Sequence, residues 1–154
     1  IYFGVLGAGG AKFASSTNTS GDTVETVAHT LAVGTNAPSG FTLSVRGQTL
    51  TSQQNSANTI DYIGGTAASS TPGVEQFGLR ATESGGVGVT VSSPFSSASS
   101  YGYNATASSS ATVAVGSGST PTSTFSVRYV TNINAVTEAG TYTATLVYVA
   151  TANF

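Results

Sequence analysis

Apolar side chains recur at every second position over most of the chain, and serine and threonine fill many of the positions between them. Alternation of this kind is typical of a strand that turns one face toward a core and the other toward solvent. No stretch shows the period of an amphipathic helix. The pattern predicts eight or more short strands, in the segments 23–35, 41–46, 59–63, 77–82, 87–91, 101–104, 111–115, 125–133 and 142–150.

Turn residues separate these segments and indicate how consecutive strands pair. Residues 36–40 (Asn-Ala-Pro-Ser-Gly) lie between two alternating segments and predict a hairpin. Residues 138–140 (Glu-Ala-Gly) predict the turn of a closing hairpin between the last two strands. Strands of this number and spacing are typical of a β-sandwich. We therefore predict an all-β, jelly-roll-like single domain with little or no helix.

The N-terminal segment has a different character from the rest of the chain. Residues 1–6 are apolar apart from Gly4, and residues 7–10 (Gly-Ala-Gly-Gly) form a tether with almost no side chains. Such a segment either pairs as the first strand of its own domain or completes the sheet of a neighbouring subunit as a donor strand. We divide the chain into residues 1–14, the candidate donor strand and tether, and residues 15–154, the sandwich. The candidate donor-strand residues are Ile1, Tyr2, Phe3, Val5, Leu6 and Phe13.

The last predicted strand, 142–150, is apolar on both faces, because Val147 and Val149 alternate with Leu146 and Tyr148. A strand that is buried on both faces is normal where another element covers the sheet. We therefore expect the acceptor groove for a donor strand to lie at these four residues.

Composition narrows the classes of function. Only 10 of the 154 residues are charged and the net charge is −2, whereas 23 serines and 25 threonines supply a third of the chain. Charged residues make up about 25% of an ordinary soluble domain. Four basic residues cannot form the positive surface that nucleic acids require. No run of 18 apolar residues is present, which tells against a membrane-spanning helix.

Candidate catalytic and metal sites are sparse. The single histidine, His29, lies in a strand with apolar neighbours, so we expect it to pack there rather than act in a triad. The six carboxylates are scattered singly, and calcium binding through the loops at Asp61 or Glu75 stays an alternative. We predict that the protein is not an enzyme and that it has no cofactor or metal.

Other residues suggest modification or binding. We expect the single lysine, Lys12, to be solvated, with a Lys–Asn isopeptide cross-link as the alternative. The sequons at Asn18 and Asn104 are possible glycosylation sites. An alternative function, a carbohydrate-binding or adhesive sandwich module, would use ligand contacts from Tyr62, Tyr101, Tyr103 and the Ser-rich loops.

Two segments carry a resemblance to known proteins. Residues 138–148 (Glu-Ala-Gly-Thr-Tyr-Thr-Ala-Thr-Leu-Val-Tyr) resemble the closing hairpin of secreted bacterial β-sandwich domains such as WxL-type domains and fimbrial subunits. Tyr2-Phe3-Gly4 is similar to their first strand. The layout also resembles donor-strand filament subunits of the TasA-like and archaeal bundling-pilus kind. The chain has no Trp and hence no W-x-L motif, so the resemblance does not imply peptidoglycan binding.

Together these features predict a structural subunit of an extracellular filament or of a surface layer. The resemblance implies secretion to the cell surface, and a start at Ile1 without methionine is expected if a leader has been removed. We expect a head-to-tail homopolymer that assembles by donor-strand complementation. The alternatives are the carbohydrate-binding module and a viral coat or tail protein.

Overall fold

The computed structural model describes residues 1–15 and 21–154, and this part of the chain contains strands but no helix. No apolar helix of membrane-spanning length occurs within it. The all-β prediction is therefore confirmed. The strands are β1 (Lys12–Phe13), β2 (His29–Thr35), β3 (Phe41–Arg46), β4 (Thr51–Ser52), β5 (Gly64–Ala68), β6 (Gln76–Ser84), β7 (Val89–Val91), β8 (Tyr101–Tyr103), β9 (Ala111–Gly116), β10 (Thr120–Asn132), β11 (Tyr142–Thr143) and β12 (Val147–Ala152).

Two antiparallel sheets form the sandwich. The larger has the order β1-β10-β6-β8-β5, and β2 pairs with β10 beyond the end of β1. The smaller has the order β12-β3-β9-β7, and β11 pairs with β4 separately. The long strand β10 organises the larger sheet, because β1 and β2 lie along one of its sides and β6 along the other.

The core lies between the sheets and follows the alternation of the sequence. In β3, Phe41, Leu43 and Val45 are buried, whereas the residues between them are not. In β10, every second residue from Phe125 to Tyr129 is buried in the same apolar cluster. Burying a large apolar side chain contributes about 1.5–3 kcal/mol. The period of two therefore identified these inward faces correctly.

The predicted hairpin around residues 36–40 is wrong. Strand β2 pairs with β10 in the larger sheet, whereas β3 pairs with β9 and β12 in the smaller one, so this turn carries the chain across the sandwich. At the end of the turn, Gly40 has a φ of 80°, and a Cβ there would lie 1.9 Å from the carbonyl oxygen of Gly116. Only glycine fits this close approach.

The predicted closing hairpin is also wrong. The segment 142–150 is divided into β11, which pairs with β4, and β12, which pairs with β3. Since β10 belongs to the larger sheet, residues 138–140 connect two sheets rather than two neighbouring strands. The predicted strand 59–63 is reduced to isolated bridges at Thr59 and Tyr62.

The N-terminal segment divides into two parts. Residues 1–6 lie outside the strands, and β1 comprises only Lys12 and Phe13, opposite Thr131 and Val130 of β10. The expected apolar strand at residues 1–6 is therefore not formed within this chain.

Candidate functional site

A groove of about 1070 Å³ opens at one edge of the sandwich. Residues 1–6, called the plug segment below, line it, and residues 137–146, which include β11, line it as well. Side chains of β2 and β10 from the larger sheet and of β12 from the smaller sheet also face it. These include His29, Tyr129 and Tyr148.

Few contacts hold the plug segment in the groove. The Phe3 ring meets the buried Phe77 ring edge-on, with centroids 6.4 Å apart. The Ser15 N–H donates a hydrogen bond of 2.6 Å to the Tyr2 carbonyl oxygen. Three large side chains stay mostly in water, because Ile1 is 69% exposed and Tyr2 and Val5 are each 66% exposed. The segment is therefore apolar yet only partly covered.

Three polar side chains form a hydrogen-bonded row in the groove. Tyr129 Oη lies 2.9 Å from His29 Nε2 and 2.5 Å from Tyr148 Oη. Burial lowers the pKa of His29, so the imidazole is neutral at pH 7 and has one nitrogen that can accept a hydrogen bond. Burial raises the pKa of Tyr129 to about 12, and it raises the pKa of Tyr148 as well. The row thus carries no charge at neutral pH.

The groove brings together most of the candidate donor and acceptor residues. Five of the six candidate donor residues line it, namely all except Phe13. Leu146 and Tyr148 from the expected acceptor set line it too. Phe13 lies elsewhere, stacked on Tyr101 with ring centroids 6.3 Å apart.

The other two expected acceptor residues face away from the groove. Val147 and Val149 are 42% and 40% exposed, so β12 is not covered on both faces as the sequence suggested. Val147 lines a smaller depression of about 590 Å³ that also includes Arg46. No second layer covers this outer face within the described residues, which is why its valines remain in solvent.

Two of the three tyrosines expected to contact a carbohydrate are buried. Tyr103 is fully buried and its hydroxyl donates to the Gly47 carbonyl oxygen at 2.9 Å. Tyr101 is buried as well, and the Tyr62 ring packs against Tyr103 with centroids 5.7 Å apart. Tyr101 and Tyr103 therefore offer no exposed ring face to a sugar, whereas Tyr62 is half-buried, and the carbohydrate-binding alternative stays a prediction.

Lys12 is buried and not solvated as expected. Its side chain is 1% exposed, and Nζ lies 3.8 Å from Asp22 Oδ1. The Phe13 N–H donates to Asp22 Oδ2 at 2.7 Å, so this carboxylate also binds the backbone of β1. The sequence does not reveal this burial, because it depends on β1 pairing with a distant part of β10.

The outer face of the larger sheet carries a charged cluster that the sequence pattern does not predict. Arg80 of β6 and Arg128 of β10 are cross-strand neighbours, an arrangement in which like charges repel. Glu25 compensates them: it accepts bonds from Arg80 Nε at 2.9 and 3.0 Å and lies 3.6 Å from Arg128 Nε. The Tyr101 hydroxyl also donates a hydrogen bond of 2.5 Å to Glu25 Oε1.

The electrostatics of this cluster favour the ion pair. Burial lowers the pKa of Arg80, but the hydrogen bond and the charge of Glu25 outweigh it and the net shift is upward. Burial and Glu25 together raise the pKa of Tyr101. Residues 21–28, called the clamped segment below, are thereby fastened to the sheet. In the sequence, this cluster is indicated only by the outward strand positions of Arg80 and Arg128.

The remaining candidate positions lie apart from the groove or at its border. Asp61 is exposed, and Glu75 Oε1 accepts a hydrogen bond of 2.5 Å from the Thr137 hydroxyl. No group of three potential metal ligands occurs among the described residues. Asn104 is exposed and accessible for a glycan, whereas Asn18 lies outside the described residues.

Comparisons with protein-family models, with curated proteins and with solved structures gave no match. The resemblance to secreted surface and filament subunits therefore stays a prediction.

Proposed function

We propose that the protein is a structural subunit of an extracellular filament or surface layer that polymerises by donor-strand complementation. The plug segment of one copy enters the groove of the next. One observation carries this proposal: an apolar segment outside any strand lines one side of a groove at the edge of the sandwich, with Ile1, Tyr2 and Val5 more than 60% exposed. Exposed apolar segments of this kind are normally covered by a partner.

The strands beside the groove can accept another strand. Within the described residues, β12 pairs only with β3, and β2 pairs only with β10, so each has a side without a strand partner. An incoming segment would supply backbone hydrogen bonds along such an edge and place alternate side chains in the groove. Ile1, Phe3 and Val5 alternate in the required way.

The geometry of this contact favours an open polymer. The plug segment of one copy and the groove of another are different surfaces, so each copy would still offer one free groove and one free segment. Such head-to-tail contacts extend into filaments when the rotation between copies does not close a ring. The low charge of the chain, 10 charged residues in 154, leaves few charges to repel a neighbouring copy.

Deletion of residues 1–10 tests the proposal. This deletion removes the plug segment and tether but retains β1, which starts at Lys12. We expect the truncated protein to stay monomeric by light scattering and to form no filaments or sheets in electron micrographs, whereas the full chain does. Circular dichroism checks that the β-structure is kept.

A second variant keeps the length of the chain and tests the side chains alone. Replacing Ile1, Phe3 and Val5 by serine leaves the backbone of the plug segment but removes its large side chains. We expect the same loss of polymers. If either variant forms the same polymers as the full chain, donor-strand complementation by residues 1–6 is wrong.

A further inference from the structure

We infer that the plug segment of a free subunit closes one side of that subunit's own groove, and that assembly proceeds by exchange of plug segments between copies. The inference rests on the proposed function and adds its regulation. Its basis is that residues 1–6 and the acceptor residues Leu146 and Tyr148 line one groove of a single chain. A neighbour's segment could take the same position against Phe77 only by displacing the chain's own segment.

The plug segment has specific contacts in its own groove. Phe3 is half-buried against Phe77, and Leu6 packs against the same core cluster. The bond from Ser15 N–H to the Tyr2 carbonyl fixes the start of the segment beside β10, because the neighbouring Ala14 N–H donates to Tyr129 O at 3.2 Å. The plug segment therefore forms one wall of the groove and covers part of the core in the isolated chain.

The segment can also leave. Residues 1–6 make no strand pairing, and residues 7–10 are three glycines and an alanine. Gly4 has a φ of 74°, a left-handed conformation that glycine can exchange for an extended one without strain. Ten extended residues reach at most about 36 Å. That length allows the segment to cross from one copy to the groove of another.

Exchange of identical segments makes assembly depend on concentration. The same side chains would fill the same groove in the closed subunit and in the polymer, as in domain swapping. In the closed subunit the segment competes at the high effective concentration of a short tether, in the millimolar range. Subunits are therefore held apart while dilute, and they exchange segments where they accumulate.

Peptide binding tests whether the groove is closed. The probe is a fluorescent synthetic peptide with the sequence of residues 1–10, titrated by anisotropy at protein concentrations below those of assembly. We expect saturable binding to the protein without residues 1–10 and at least tenfold weaker binding to the full chain. A full chain with Phe3→Ala should bind the peptide about tenfold more tightly than the unaltered chain, since its own segment loses its ring contact.

The outcomes separate this inference from the proposed function. Equal affinity for the full and truncated chains would show an open groove and overturn the inference, while leaving donor-strand assembly intact. Absence of binding to both would mean that the groove accepts no such segment, and both proposals would fail. If the truncated chain does not fold, the full chain and its Phe3→Ala variant decide alone, and equal affinities reject the closed groove.

A disulfide staple tests the exchange itself. The chain has no cysteine, so Tyr2→Cys with Ser15→Cys can form only one intramolecular disulfide, and the backbone contact of 2.6 Å brings these residues together. We expect the oxidised variant to remain monomeric and to polymerise after reduction, with Tyr2→Cys alone under a reductant as control. Polymerisation of the oxidised variant at the rate of the reduced one would contradict the inference.

Discussion

The plug segment and the clamped segment cover the same sandwich in different ways. Residues 21–28 are bound through Glu25 to two arginines and a tyrosine of the larger sheet. Residues 1–6 are held by the ring contact of Phe3, by the packing of Leu6 and by a backbone bond at Tyr2. Charge-assisted bonds in a partly buried site are shorter and stronger than neutral ones. One part of the N-terminal region is therefore fixed by charged groups, whereas the other is held only by a few neutral contacts.

Backbone contacts reinforce this contrast. In the clamped segment, the Thr26 hydroxyl donates to the Ala14 carbonyl oxygen at 2.7 Å, and the Ala28 N–H donates to Val127 O at 2.8 Å. These bonds lead directly into β2, so the segment continues the sheet. The plug segment instead precedes a tether of glycines, which transmits no comparable restraint.

The largest effect is expected for Glu25→Ala, which breaks the clamp. Arg80 and Arg128 would face each other without a counter-charge, and the Tyr101 hydroxyl would lose its acceptor. This cluster is partly buried, and the loss of hydrogen bonds to a charged group costs about 1.5–3 kcal/mol in the free energy of unfolding. Urea denaturation followed by circular dichroism measures this loss.

Arg46→Ala is the matched control for that measurement. Arg46 is exposed at the end of β3, and replacing a surface residue usually changes the free energy of unfolding by less than about 0.5 kcal/mol. If Glu25→Ala is no more destabilising than this control, the clamp does not fix residues 21–28.

A smaller loss of stability is expected for Phe3→Ala, which weakens the plug segment. The ring is half-buried and contacts Phe77 through its edge, so we expect a decrease of about 1–2 kcal/mol, below the range for fully buried phenylalanines. Filament formation should nevertheless be strongly reduced, as seen by light scattering. A stability loss as large as that of Glu25→Ala would mean that the plug segment is a fixed part of the fold.

The smallest effect is expected for acidification, through His29. Its folded-state pKa lies below the ordinary value of 6.5, so the unfolded chain takes up the proton first as pH falls. This contribution to stability is present above pH 6.5 and is lost as pH falls through the folded pKa. The free energy of unfolding, measured between neutral and mildly acidic pH, should therefore decrease less for His29→Gln than for the unaltered chain. Equal decreases would exclude His29 as the cause.

The sequence predicted the buried core more accurately than it predicted the pairing of the strands. Alternation in β3 and β10 identified the buried faces, because a strand has the same inward side chains whichever partner it pairs with. It could not distinguish a hairpin from a crossing between sheets, since in either case the two strands turn their apolar side chains toward the same core. The hairpins predicted at 36–40 and 138–140 are therefore wrong for the same reason.

The groove was only partly predictable for a related reason. The apolar plug segment is local in sequence, so its character could be read directly. The burial of Lys12, the pairing of Glu25 with Arg80 and the outward direction of Val147 depend on contacts between residues that are far apart in the chain. Such contacts leave no local pattern in a single sequence.

The edge-on contact between Phe3 and Phe77 has a practical consequence for following exchange. Phe77 stacks on Tyr129 with centroids 6.1 Å apart, and Tyr129 is bonded in turn to Tyr148. The chain has seven tyrosines and no tryptophan to mask their signal. Departure of the plug segment would let water reach this aromatic group, so near-ultraviolet circular dichroism and tyrosine fluorescence should report groove occupancy in the unlabelled protein.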